Sequence, residues 1–124
     1  MTRTLLFVAI GGMLGSVCRY LSTTAAVQFL PWAFPVGTFA VNVVGSFVMG
    51  AAVGLFERYT TMGSDWRIFV TAGFCGGFTT FSAFAFENLV LLTERQYALF
   101  AAYSLASFVL CIAAALAGLI LTRP

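Results

Sequence analysis

Arg19, Asn42, Glu87 and the segment Gly73-Phe74-Cys75-Gly76-Gly77-Phe78-Thr79-Thr80-Phe81-Ser82-Ala83-Phe84 are the four places where polar chemistry sits inside apolar sequence. A strongly polar group within hydrocarbon is destabilising by a few kcal/mol on insertion scales, so each needs a partner or a water-filled path. Arg19, late in its apolar run, either snorkels to headgroups or draws anions into a vestibule. Asn42 has an amide with two donor hydrogens, suited to an ion or to holding helices together. Glu87 accepts hydrogen bonds from hydroxyls, carries a proton, or does both. The fourth place combines paired glycines with hydroxyls and regularly spaced rings, which predicts an interrupted helix whose freed backbone groups hold an ion.

Two further patterns extend this chemistry. Thr38, Asn42 and Ser46 recur at four-residue steps, as do Tyr103, Ser107 and Cys111, so each set forms a stripe of weak donors along one helix face. Phe81 and Phe84, three apart, share a face, and their ring edges carry the positive part of the aromatic quadrupole. Donor stripes and ring edges beside an interrupted helix describe a narrow polar path that binds its ion by hydrogen bonds, because no Lys or His stands at mid-span.

The elements that position these residues follow from composition. Of 124 residues 61% are hydrophobic and 8% charged, and a span needs about 20 apolar residues to cross a core of about 30 Å. The chain therefore reads as one transmembrane domain over 1–124, all-α, with four spans at about 5–30, 36–56, 68–92 and 97–121. Pro31, Trp32 and Pro35 turn the chain after the first span, and the third is expected to break near its middle, where helix-weakening residues concentrate. The opening Met1-Thr2-Arg3 and its apolar run read as a retained span rather than a cleaved leader. Gly11 and Gly15, and Gly50 and Gly54, are spaced for close helix approach.

The same composition excludes function classes. With no His, most acid–base, zinc and triad chemistry is absent, so the chain is not expected to be an enzyme. A net charge of +2 gives no basic face for nucleic acid. Cys18, Cys75 and Cys111, odd in number and widely spaced, are expected as free thiols. Arg3, Arg58, Arg67 and Arg123 fall on one membrane side, with Arg95 and Arg19 near the other. Four against two is a weak positive-inside bias, compatible with insertion both ways and with an antiparallel dimer.

Three blocks together resemble the signatures of the Fluc (CrcB) fluoride channels: Gly11-Gly12-Met13-Leu14-Gly15-Ser16-Val17-Cys18-Arg19-Tyr20, Gly37-Thr38-Phe39-Ala40-Val41-Asn42-Val43-Val44-Gly45-Ser46, and the Gly73–Ser82 block followed by Glu87. The resemblance covers nearly the whole chain. It implies a fluoride-selective passive channel in the cell (inner) membrane, an antiparallel dual-topology homodimer that exports fluoride from the cytoplasm and confers resistance to it. By position it implies donors to fluoride from Asn42 and Ser82, ring edges from Phe81 and Phe84, and a polar track of Thr38, Glu87, Tyr103 and Ser107. It makes Arg19 the vestibule cation. It further implies a structural sodium ion on the dimer axis, held by the backbone carbonyls of Gly76 and Thr79 from both subunits. Fluoride is small and strongly hydrated, so a selective path must replace its water with close donors and avoid a fixed cation that would trap it. The competing reading is a proton-coupled exporter of the small multidrug resistance type, whose working carboxylate lies in the first span, where this chain has Arg19 and no acid.

Overall fold

The computed structural model describes residues 1–30 and 33–124; the turn expected at Pro31 and Trp32 lies outside them. Among the described residues the secondary structure is helical throughout. Helix α1 covers Thr2–Phe29 and α2 covers Val36–Arg58. The third span is composite: α3 over Ser64–Ile68, a π-helical stretch over Phe69–Cys75, α4 over Gly76–Phe78, and α5 over Phe81–Thr93. Helix α6, Tyr97–Thr122, closes the chain. Four segments, Thr2–Phe29, Val36–Arg58, Ser64–Thr93 and Tyr97–Thr122, are long and apolar enough to cross a membrane. Two begin a few residues earlier than the apolar runs alone indicate. In the third, Asp65 enters the first helical turn, where the macrodipole favours an acid.

The helices pack as two pairs, α2 against α6 and α1 against the third span. Glycine permits both contacts. A Cβ on Gly50 would collide with the Ala115 carbonyl, and one on Gly118 with the Phe47 carbonyl, so α2 and α6 touch backbone to backbone. A Cβ on Gly11 would stand 2.6 Å from the Phe69 carbonyl oxygen, which brings α1 equally close to the π-helical stretch. In lipid, where no hydrophobic force drives helices together, this approach supplies the van der Waals contact that holds them. Thr122 Oγ1 adds a bond from α6 to the Ala51 carbonyl of α2, 3.0 Å.

Polar residues mark the two ends. At one, Arg3 pairs with Asp65 at 2.7 Å, Arg123 pairs with Glu57 at 3.3 Å, and Arg67 Nη2 donates to the Phe56 carbonyl at 3.1 Å. Arg95 turns the chain at the other end, in the left-handed region with φ 58°. The three thiols are free, Cys75 buried and Cys18 exposed.

Candidate functional site

The site is organised by the interruption of the third span. Helix α4 stops at Phe78, Thr79 and Thr80 are extended (φ/ψ −79°/154° and −148°/123°), and α5 restarts at Phe81. Extended residues in mid-span leave backbone groups without their helical partners, and each must be satisfied elsewhere. Asn42 of α2 does this at Thr80 from both sides: its Oδ1 accepts from the Thr80 N–H at 2.8 Å and its Nδ2 donates to the Thr80 carbonyl at 3.0 Å. Thr80 Oγ1 accepts from the Ala83 N–H at 3.3 Å and so caps α5. Arg19 of α1 donates from Nε to the Gly77 carbonyl at 3.1 Å, which fixes that edge of the guanidinium at the interruption instead of at the headgroups. Asn42 keeps one N–H with no partner among the described residues.

Two cavities flank this frame. The larger, about 620 Å³, is lined by Asn42, Thr79, Phe81, Phe84 and Ser107 among others, and includes Ser46 and Cys111 from the two donor stripes. The smaller, about 350 Å³, lies between the end of α1 and the start of α2 and takes in Thr23, Phe34, Thr38 and Glu87. Tyr103, wholly buried, stands between them. Its ring makes a T-shaped contact with Phe84 of the larger cavity, centroids 5.0 Å apart, and its hydroxyl donates to Glu87 of the smaller at 2.6 Å. Thr38 donates to the other oxygen of Glu87 at 2.5 Å. Of the alternatives the sequence leaves open for Glu87, the geometry has it accepting from two hydroxyls. Each hydroxyl has a single proton, so in this arrangement both are committed to the carboxylate, and an ion approaching Thr38 or Tyr103 competes with Glu87 for them.

Phe81 and Phe84 pack with centroids 5.5 Å apart; Phe81 is 78% exposed, so its outer face is open to lipid or to a partner. Ser107 Oγ is buried with no hydrogen-bond partner among the described residues, a costly state for a hydroxyl unless something else is bound there. The predicted residues thus gather as Asn42, Thr79, Phe81, Phe84 and Ser107 around one cavity and Thr38 and Glu87 around the other, joined by Tyr103. Ser82, Arg19 and Gly76 line neither; Ser82 is exposed, its Oγ 3.3 Å from Thr80 Oγ1. Sequence reasoning missed Asn88 and Ser104, both polar, within spans and beside site residues; Ser104 lines the larger cavity and Asn88 is buried behind it. The rule that singles out Asn42 applies equally to Asn88.

Four spans long and apolar enough to cross a membrane, with an interrupted third span and two cavities that hydroxyls, an amide and aromatic rings help to line, define the class: a small multi-pass membrane protein. The chain belongs to the CrcB family, since the family model described as CrcB-like protein, Camphor Resistance (CrcB), matches residues 6–119. Among similar curated proteins, the fluoride-specific ion channel FluC of Caulobacter vibrioides (strain NA1000 / CB15N) is 46% identical over 120 residues, 96% of this chain and 94% of that one. The protein of the same name from Phenylobacterium zucineum is 43% identical over 122 residues, 98% and 96% of the two chains. That of Bacteroides fragilis (strain ATCC 25285) is 43% identical over 119 residues, 94% and 93%. Spans and family together place the chain in a bacterial plasma membrane as a multi-pass protein.

Proposed function

We propose that this chain is a fluoride-selective passive channel that exports fluoride from the cytoplasm and thereby protects the cell from it. The observation that carries the reading is the set of polar groups on either side of Tyr103: Asn42 and the Ser107 hydroxyl at the larger cavity, and Thr38 and Glu87 at the smaller, where Tyr103 and Thr38 both donate to Glu87. Among the described residues, no Lys or Arg lines either cavity. A row of weak donors strips water from a small anion stepwise and releases it again, which a fixed cation would not. Ring edges of Phe81 and Phe84 bridge the stretch between Asn42 and Tyr103. Arg19, bound to Gly77 beside the interruption, raises the local anion concentration from outside the route.

The working unit in this proposal is an antiparallel dual-topology homodimer. Phe81 and Ser82 are exposed on one chain and are the residues that a second copy would enclose. A structural sodium ion fits the same arrangement. The carbonyls of Gly76 and Thr79 accept no hydrogen bond among the described residues, and oxygen ligands of this kind suit a hard cation. One chain offers two such carbonyls, so the ion would be shared by two. Its positive charge would sit at the interruption and hold the two copies in register.

The exporter alternative is the weaker reading: it needs a carboxylate in the first span, where α1 has none. Expression in a bacterium that lacks its own fluoride exporter tests the proposal in the cell. Growth restored in millimolar-range fluoride supports export, and growth no better than with an empty vector contradicts it.

A further inference from the structure

Glu87–Tyr103 is one of two adjacent rungs between α5 and α6. In the second, one residue further along each helix, Ser104 Oγ donates to Asn88 Oδ1 at 3.2 Å. Asn88 is 6% exposed, and its Nδ2 donates at 3.1 Å to the carbonyl of Phe84, one turn back on its own helix. The amide is therefore fixed by α5 on one side and used by α6 on the other. Nothing in the fluoride route needs Asn88 as a ligand, since it lines neither cavity.

We propose that Asn88 is a positioning residue: with Ser104 it forms the rung that keeps α5 and α6 in register while Tyr103 turns its hydroxyl from Glu87 to a passing anion. The inference rests on the fluoride-channel reading and adds to it. Its physical basis is the single proton of the Tyr103 hydroxyl. While that proton serves the ion, the Glu87–Tyr103 rung is broken, and a helix pair with no second rung would be free to rotate. The Asn88–Ser104 rung remains. It sits on the turn that carries Phe84, whose ring makes a T-shaped contact with Tyr103, so a rotation of α5 would shift that ring in the wall of the larger cavity. The rung has a second effect. Ser104 lines the cavity, yet its one proton points to Asn88, so it presents an oxygen there and leaves the donor role to Ser107, whose hydroxyl is unpaired.

The test is the double variant Asn88→Leu/Ser104→Ala, recorded as unitary fluoride current in planar bilayers after gel filtration has shown the same assembly as the unaltered protein. Replacing both partners by apolar groups of similar shape is close to neutral for folding, so the assembly is expected to persist. The current through each open channel is independent of how many channels fold. We expect it to fall at least fivefold. A unitary current within twofold of the unaltered channel overturns the positioning role and leaves the rung a packing contact only. Should the double variant not assemble, Ser104→Ala alone, which removes one oxygen, is read by the same criteria. An unaltered protein that passes no fluoride refutes the channel reading itself; a conducting one with unchanged variants refutes only the rung.

Discussion

Asn42→Ala removes both bonds to Thr80 at once, and its consequence can be worked from the geometry. The Thr80 N–H and carbonyl lose partners at 2.8 and 3.0 Å, in an extended stretch where no helical bond replaces them. A buried polar group left unpaired costs about 1–3 kcal/mol, roughly 2–6 kcal/mol for two. Measured interhelical bonds in lipid average nearer 0.6 kcal/mol each, which lowers the bottom of the range to about 1 kcal/mol. Since about 1.4 kcal/mol is tenfold in rate, loss of the conducting geometry reduces flux by tenfold or more over most of that range. Removal of the spare N–H, which the proposal assigns to fluoride, would add to the loss. The assay is initial fluoride efflux from liposomes, per assembled protein counted by gel filtration. Efflux within twofold of the unaltered protein would refute the claim that Asn42 holds the interruption in its working form. A protein that no longer assembles would assign Asn42 to structural glue alone.

Phe81→Ile and Phe84→Ile each remove a ring edge and keep apolar bulk; each is expected to slow efflux more than tenfold with the dimer intact, and near-normal flux in both would sink the ring-edge proposal. Gly50→Leu drives a side chain into the Ala115 carbonyl on α6 and is expected to abolish the monodisperse gel-filtration peak of the folded protein in detergent. Glu87→Gln keeps an oxygen for one hydroxyl and places an amide donor at the other, so fluoride flux should change with no proton movement in either form; drug-driven proton exchange that the substitution abolishes would restore the exporter reading. Arg3→Ala breaks an ion pair whose arginine is 79% exposed and is expected to leave thermal stability nearly unchanged, within about 1 kcal/mol, in a detergent melting assay.

How far the sequence reaches depends on the scale of the feature. Spans are legible because apolar blocks of the required length are separated by short polar turns, and their bounds shift by only a few residues in the structure. Gly50 and Gly54 are readable as contact points because close approach needs small residues wherever it occurs. The π-helical stretch over Phe69–Cys75 carries no such signature: its glycines announce weakness, while the wider turn is set by packing against Gly11 and Gly15 of α1. Partner identity is hidden for the same reason. Asn42 and Thr80 are 38 residues apart, and only the packing of α2 beside the interruption joins them. Asn88 escaped notice beside Glu87, although the cost of a buried amide in lipid applies to it as it does to Asn42.

Purified protein in liposomes, loaded with fluoride and given an ionophore to carry balancing potassium, tests the central claim most directly when efflux is read with a fluoride electrode beside a chloride control. Rapid release of fluoride with no release of chloride is the result the donor route predicts. Vesicles that hold their fluoride, with the protein folded, inserted and dimeric, would contradict it.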